Sequence, residues 1–323
     1  MPLMPARQPH FITLTAAAAA PAAEIAAGLL APAARLSPKF LYDALGSALF
    51  QAITELPEYY PTRTEAAIFQ AHGEAIAAAL PPGLAGGTLV DLGAGDSAKA
   101  ARLFPLLRPA RYLAIDISAD FLRRSLQALQ QQFPAIEMTG VAMDFAQRLA
   151  LPDGLVDAPA LLFYPGSSIG NFAPDEALRL LREAHALSRG GALLIGADLC
   201  KPAAVLHAAY DDALGVTAAF NLNLLRHLNV LAGSDFDVRD WRHQARWDEP
   251  ASRIEMHLLA RRDVAVRWPG GGRDFAAGEG IHTENSYKWE AAAFEALLRD
   301  AGWRHVRRWT DARGWFGVFL ALA

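Results

Sequence analysis

The sequence contains two carboxylates and a glycine-rich turn at spacings that suit a nucleotide site. Asp91 ends an apolar run just before Gly93 and Gly95, and Asp116 follows about 20 residues later. A carboxylate at the second position can accept hydrogen bonds from ribose hydroxyls, and a glycine turn that opens a helix lets a nucleotide approach bare backbone. We therefore expect a ligand that contains adenosine.

Asp91 distinguishes between two classes of adenosine ligand. A dinucleotide would bring its pyrophosphate close to this carboxylate and be repelled, whereas S-adenosylmethionine carries a sulfonium and an ammonium group and no phosphate. Asp91 therefore favours S-adenosylmethionine, although a glycine turn alone can also be a plain connection between a strand and a helix.

Two loops that follow predicted strands carry residues suited to ligand contacts. Asp144 can meet an adenine amino group and Phe145 can stack on the base, although a solvated turn with a core phenylalanine is an alternative. Gly166 and Ser168 keep the backbone of the second loop accessible, and Asn171 offers both a donor and an acceptor. This second loop is favoured as a substrate contact.

Two further segments carry polar side chains that could face a substrate. Tyr59 lies between Pro57 and Pro61, which restrict the backbone, so the tyrosine forms either a fixed pocket wall or part of a rigid loop on the core. Glu284 and Ser286 would point to the same side of an extended segment and could grip an imidazole. The alternative makes Ser286 a helix N-cap and leaves Glu284 in solvent.

Alternating apolar runs predict the fold that positions these residues. Strands are expected at 88–92, 112–116, 139–143, 160–164 and 192–198, mostly with helices between them, which is the pattern of an α/β doubly wound parallel sheet. Ligands of such sheets bind at the carboxyl ends of the strands. The last residues predict an antiparallel hairpin, Trp303 to Thr310 and Trp315 to Leu322, a layout typical of class I methyltransferases with a Rossmann-like sheet.

Residues 199 to about 285 interrupt this alternation and predict a second lobe. They contain strands at 236–248 and 253–266, whereas residues 1 to about 36 predict an irregular lead-in with one short helix after Pro21. We expect a methyltransferase domain at 61–198 and 287–323. A substrate-binding lobe is expected at 1–60 and 199–286.

The composition excludes several classes of function. The 323 residues are 53% hydrophobic with a net charge of −4, so we expect a globular protein that binds neither nucleic acid nor anionic membranes. Cys200 is the only cysteine, which gives no support to a zinc site or an internal disulfide. Glu24 interrupts the Ala-rich stretch at 15–30 and no basic cluster precedes it, so we expect a cytoplasmic protein. We also expect a monomer with a small-molecule substrate and no metal.

Six strings closely resemble the L-histidine Nα-methyltransferases of ergothioneine biosynthesis, the dimethylhistidine N-methyltransferase family: LYDALGSALFQAITELPEYYPTRTE, DLGAGDSAKA, GSSIGNF, AYDDALGVTAAFNLNLL, EMHL and IHTENSYKW. The resemblance covers residues 37–323. It implies that S-adenosylmethionine methylates the α-amino group of histidine three times, giving hercynine and S-adenosylhomocysteine. The alternatives are a related enzyme for tryptophan or tyrosine, and a non-catalytic S-adenosylmethionine-binding regulator.

The resemblance also implies roles for individual residues. The expected cofactor contacts are Tyr42, Gly93, Lys99, Asp116, Asp144 and Phe145. The expected substrate contacts are Tyr59, Asn171 and Tyr210 at the carboxylate and amino end, Gly166 and Ser168 beside the amine, Glu284 and Ser286 at the imidazole, and Phe50 and Met256 as apolar walls. Tyr59 and Asn171 are also the catalytic candidates, along a water path that carries the amine proton away.

Overall fold

The computed structural model describes residues 7–14 and 21–323. The expected irregular lead-in falls partly on residues 1–6 and 15–20, which lie outside the described residues. The helices are α1 (Pro21–Leu30), α2 (Ala44–Glu55), α3 (Tyr60–Ala78), α4 (Ala98–Leu107), α5 (Ala119–Gln132), α6 (Pro174–Leu187), α7 (Ala203–Tyr210), α8 (Val216–Ala232) and α9 (Ala291–Asp300). The strands are β1 (His10–Thr13), β2 (Thr88–Leu92), β3 (Arg111–Asp116), β4 (Glu137–Ala142), β5 (Ala160–Tyr164), β6 (Ala192–Asp198), β7 (Trp241–Asp248), β8 (Arg253–Ala260), β9 (Val264–Trp268), β10 (Gly271–Phe275), β11 (Gly280–Tyr287), β12 (Arg304–Thr310) and β13 (Phe316–Leu322).

An eight-stranded sheet runs in the order β1-β4-β3-β2-β5-β6-β13-β12. Strands β1 to β6 pair in parallel, while β13 pairs antiparallel with both β6 and β12. The five predicted parallel strands and the closing hairpin are therefore confirmed. This order, with an antiparallel strand inserted beside the last parallel one, is that of class I methyltransferases.

The sheet is buried on both faces because helices cover each of them. Leu180 of α6 and Phe294 of α9 pack in one apolar cluster, and Ile68 of α3, Leu103 of α4 and Leu126 of α5 pack in the other. Every residue of β5 and β6 is buried, as expected for parallel strands that read as continuous apolar runs. This packing fixes the carboxyl ends of β2, β3 and β4, at or just after which Gly93, Asp116 and Asp144 lie.

Strand β1 corrects the prediction for the N-terminal segment. An irregular lead-in belonging to the second lobe was expected there, but His10–Thr13 pairs in parallel with β4 at the edge of the large sheet. A Cβ on Gly140 would lie 2.8 Å from Cδ1 of Phe11, so glycine at this position leaves room for the ring of Phe11 over β4. A strand of four residues is too short to show a period in the sequence.

A second, three-stranded antiparallel sheet runs in the order β11-β8-β7. Alternation is clear in β8, where Ile254, Met256 and Leu258 are buried and the residues between them are partly exposed. The predicted strand at 253–266 is two strands, because the backbone leaves the sheet after Ala260, where the amide of Arg261 donates to the carbonyl of Asp240 at 2.7 Å. The predicted strand at 236–248 begins only at Trp241.

The chain divides into two compact units. Unit 1 contains the eight-stranded sheet and spans Arg63–Leu199 and Trp289–Ala323 together with β1. Unit 2 contains the three-stranded sheet, the hairpin of β9 and β10, and helices α1, α2, α7 and α8. Over residues 7–14 and 21–323, no helix is both long and apolar enough to cross a lipid bilayer.

Candidate active site

The glycine turn after β2 exposes its backbone as predicted. Gly93 and Gly95 have φ values of +71° and +54°, in the left-handed region that glycine adopts without strain. A Cβ on Gly95 would meet no atom within 4 Å, and one on Gly93 would meet the ring of Phe145 at 3.8 Å. The turn is therefore an open cradle of bare backbone with one aromatic ring at its side.

Asp116 closes this cradle at the end of β3. Its two carboxylate oxygens accept hydrogen bonds from the amides of Gly95 and Ser118, each at 2.9 Å. Burial raises the pKa of Asp116, and these backbone bonds act in the opposite direction. A carboxylate has about four lone-pair sites, so Asp116 can still accept a bond from a ribose hydroxyl.

Asp91 is buried and its carboxylate has one protein partner among the described residues, which the sequence did not indicate. Its side chain is 1% exposed, and the hydroxyl of Tyr112 donates to its Oδ2 at 2.6 Å. Oδ1 is buried without a hydrogen-bond partner in the described part of the chain. A buried carboxylate oxygen of this kind suits a donor brought by a ligand, such as an ammonium group. The open turn and the orphaned acceptor together fit S-adenosylmethionine.

Burial raises the pKa of Asp91 from 3.8 to about 7, which predicts a distinctive pH dependence of stability. The folded protein binds an extra proton, so the stabilisation is complete below about pH 4 and is lost as the pH rises through about 7. The amide introduced by Asp91→Asn does not titrate. In the absence of ligand, the Tm of the variant should therefore rise relative to that of the wild type between about pH 4 and about pH 7. A difference independent of pH would contradict the raised pKa.

The structure places the other unit 1 candidates around the same strand ends. The ring of Phe145 packs edge-on against Tyr164 with the centroids 5.9 Å apart, and Gln147 donates to Asp144 at 2.9 Å. A Cβ on Gly166 would lie 2.8 Å from Nζ of Lys99, so the predicted substrate loop borders a predicted cofactor residue. Ser168 and Asn171 bound a short 3-10 helix after that glycine.

Four aromatic candidates form a chain of edge contacts in unit 2. The ring centroids of Tyr42 and Phe50 are 5.7 Å apart, those of Phe50 and Tyr59 are 6.2 Å apart, and those of Tyr59 and Tyr210 are 6.4 Å apart. Phe220 packs behind Tyr42 and Phe50. Tyr42, expected as a cofactor contact, therefore belongs to the unit that holds most of the expected substrate contacts.

Glu284 and Ser286 lie on strand β11, so the extended geometry predicted for them is confirmed and the N-cap alternative is wrong. A bulge between His282 and Glu284 sets Glu284 opposite Met256 on β8. Glu284 is 8% exposed and Ser286 is 5% exposed. The bulge thus gives the carboxylate, the hydroxyl and the predicted apolar wall of Met256 a shared, buried setting.

Lys288 is a residue that sequence reasoning missed. Its ammonium lies 2.6 Å from Oγ of Ser286 and 3.0 Å from the hydroxyl of Tyr210, and these two hydroxyls are 2.6 Å apart. The side chain is only 3% exposed. The lysine thus joins a predicted substrate contact on α7 to one on β11. The sequence could have indicated Lys288 through its position two residues after Ser286, because alternate residues of an extended segment share a face.

Two comparisons with known proteins agree on the family of this chain. A family model described as histidine-specific, S-adenosylmethionine-dependent methyltransferase matches residues 21–323. Histidine N-alpha-methyltransferase of Mycolicibacterium smegmatis is 40% identical over 320 residues, which are 97% of this chain and 98% of the relative. The Mycobacterium tuberculosis protein of the same name is 40% identical over 92% of this chain and 93% of its own. Ergothioneine biosynthesis protein 1 of Neurospora crassa is 31% identical over 85% of this chain, which corresponds to 32% of that protein.

Proposed function

The chain belongs to the family of histidine-specific, S-adenosylmethionine-dependent methyltransferases, and we propose on that basis that it trimethylates the α-amino group of L-histidine. It is an enzyme, and S-adenosylmethionine is its methyl donor. The product is hercynine, made for ergothioneine biosynthesis, with release of S-adenosylhomocysteine. The near-full-length match to two histidine N-alpha-methyltransferases is the observation that carries this conclusion.

Each unit supplies a different part of the proposed chemistry. In unit 1, the open glycine turn, Asp116 and the orphaned oxygen of Asp91 support an assignment as the cofactor-binding domain. In unit 2, Glu284, Ser286 and the aromatic chain support an assignment as the substrate-binding lobe. Gly166, Ser168 and Asn171 are the substrate contacts that we assign to unit 1.

Glu284 selects histidine in this proposal. Its carboxylate accepts a hydrogen bond from one imidazole nitrogen, and the hydroxyl of Ser286 meets the other nitrogen. Both side chains are buried, and a site built to hydrogen-bond one side chain discriminates strongly against substrates that lack the matching groups. A tryptophan or tyrosine side chain offers only one polar group to this pair.

The residues near the amine position it and remove its proton. Bound S-adenosylmethionine supplies an electrophilic methyl group, whose carbon–sulfur bond breaks as the nitrogen lone pair forms the carbon–nitrogen bond in line with it. Tyr59 and Asn171 hold the amino end and lead one proton from the ammonium to water before each of the three transfers, which frees the lone pair. The tyrosine face also attracts the growing ammonium, a cation–π interaction of roughly 0.5–2 kcal/mol.

One assay separates this proposal from its rivals. The purified protein is incubated with S-adenosylmethionine and, separately, L-histidine, L-tryptophan or L-tyrosine, and products are detected by mass. We expect a mass increase of three methyl groups on histidine and none on the others. A product from tryptophan or tyrosine alone would indicate the related enzyme, and the lack of any product would indicate a regulator.

The water path predicts that Tyr59→Phe lowers kcat and shifts its pH profile. The variant keeps the aromatic ring and its packing against Phe50 and Tyr210 but loses the hydroxyl that leads the proton away. We expect kcat to fall roughly a hundredfold, which is the lower end of a general acid–base contribution. An unchanged rate and pH profile would remove Tyr59 from this role.

The proposal also includes a cytoplasmic monomer. Histidine and S-adenosylmethionine are both cytoplasmic metabolites, and the enzyme that combines them is expected in the same compartment. Light scattering on the purified protein should give a mass close to 34.8 kDa, and twice this mass would contradict the monomer.

A further inference from the structure

Glu65 of α3 is a buried carboxylate that contacts two parts of unit 1 already discussed. Its side chain is 2% exposed. Oε1 accepts a hydrogen bond from the amide of Gly166 at 2.8 Å, and Oε2 lies 2.7 Å from the ammonium of Lys99. One carboxylate thus holds the start of the loop that carries Ser168 and Asn171 and also a lysine expected at the cofactor.

The neighbouring backbone leaves room for this carboxylate. A Cβ on Gly196 of β6 would collide with Oε1 of Glu65, so the strand passes the carboxylate only because that position lacks a side chain. Gly166 has a φ of +79°, and a Cβ there would lie 2.8 Å from Nζ of Lys99. Two glycines on separate elements therefore accommodate the ion pair.

Glu65 and Lys99 differ in the exposed fraction of their side chains. The side chain of Lys99 is 36% exposed and stands in the first turn of α4, directly after the glycine turn, whereas Glu65 is enclosed. A buried anion draws the ammonium to one position and restricts its rotamers, while the open side of the ammonium stays available to an anionic group. Both carboxylate oxygens of Glu65 are already engaged, one by the amide of Gly166 and the other by Lys99.

We propose that Glu65 is a positioning residue that fixes Lys99 for the carboxylate of S-adenosylmethionine and ties it to the loop of Gly166. This inference rests on the proposed function for the roles of Lys99 and of that loop. Glu65 acts through these groups and takes no part in bond making. It sets the ammonium and the loop in one arrangement, so that a change at either contact alters the other.

Glu65→Gln isolates the contact to Lys99. The glutamine carbonyl can still accept from Gly166, but its NH₂ group then faces the ammonium, donor against donor. Loss of a charge-assisted hydrogen bond of this kind should weaken S-adenosylhomocysteine binding roughly tenfold, measured by calorimetry. We expect kcat for histidine to fall as well, because the loop shifts with the lysine.

Glu183 provides a matched control in the same unit. It too accepts from a backbone amide, that of Leu149 at 2.7 Å, and from a cation, Arg179 at 3.0 Å. Glu183→Gln therefore removes the same type of interaction from a different place. Its binding and rate constants should equal those of the wild type, whatever it does to Tm.

A double-mutant cycle with Lys99→Met gives the decisive measurement. If Glu65 acts through Lys99, adding Glu65→Gln to Lys99→Met weakens S-adenosylhomocysteine binding by less than about threefold further. A further loss of roughly tenfold in that background, or an unchanged dissociation constant in the single variant, would overturn the proposal. Should Glu65→Gln not fold, Glu65→Asp replaces it in the cycle, because the shorter carboxylate cannot reach both partners.

The same experiments distinguish this inference from the proposed function. Binding of S-adenosylhomocysteine is measured without a methyl acceptor, so the cycle decides the role of Glu65 even if histidine is not the substrate. A wild-type protein that binds S-adenosylhomocysteine but leaves histidine unmethylated would refute the proposed function alone.

Discussion

Glu284→Ala is expected to weaken L-histidine binding roughly a hundredfold while S-adenosylhomocysteine binding persists. The substitution removes a buried carboxylate that accepts from the imidazole, and a hydrogen bond to a charged group contributes about 1.5–3 kcal/mol. It also leaves the imidazole N–H without an acceptor in a setting that excludes most water. Calorimetric titration of the variant with each ligand separately measures both effects.

Asn285 on the same strand offers a matched control. It lies between Glu284 and Ser286, and its Oδ1 accepts from His282 at 2.9 Å, so Asn285→Ala perturbs β11 away from the predicted imidazole pair. Histidine should bind this variant as it binds the wild type. Histidine affinity that survives Glu284→Ala would show that another group recognises the imidazole, and the assignment of Glu284 would be wrong.

Asp116→Ala is expected to weaken S-adenosylhomocysteine binding by at least roughly a hundredfold. The carboxylate is the predicted acceptor for the ribose hydroxyls, and it also holds the glycine turn through the amide of Gly95 and the start of α5 through the amide of Ser118. Alanine removes the ligand contact and both anchors together. Calorimetry should therefore detect little binding, whereas the near-isosteric Asp116→Asn variant should keep part of it.

Asp311 separates this effect from a general loss of stability. Its carboxylate also organises a turn, accepting from the amides of Arg313, Trp315 and Phe316 at 3.0, 2.7 and 2.9 Å in the β12–β13 hairpin. Asp311→Ala should lower Tm and leave cofactor binding unchanged. If Asp116→Ala bound S-adenosylhomocysteine with wild-type affinity and an intact fold, the ribose contact would lie elsewhere.

The large sheet and the open glycine turn after β2 followed from local features of the sequence. Continuous apolar runs predict strands buried on both faces, and β2, β3, β5 and β6 were found at or within one residue of the expected bounds. Gly93 and Gly95 predict an open turn, because only glycine adopts their backbone angles without strain. These features depend on residues within a few positions of one another, so a single sequence displays them.

The second unit was less completely predicted. The extended segment of Glu284 and Ser286 was correct, because same-side spacing in a strand is also a local property. The bulge that sets Glu284 opposite Met256 could not be predicted, since a bulge depends on how two strands pair. The break between β8 and β9 was missed for the same reason.

Only the tertiary structure decided which groups meet across long stretches of chain. Glu65 and Gly166 are 101 positions apart, and Tyr210 and Ser286 are 76 apart, so no local pattern joins them. The sequence by itself determined a methyltransferase sheet and an open glycine turn, and it predicted which residues would bind S-adenosylmethionine and histidine. Packing alone determined that Asp91 pairs with Tyr112, that Lys288 joins two hydroxyls and that Glu65 holds Lys99, because each buried polar group must find its partner in space.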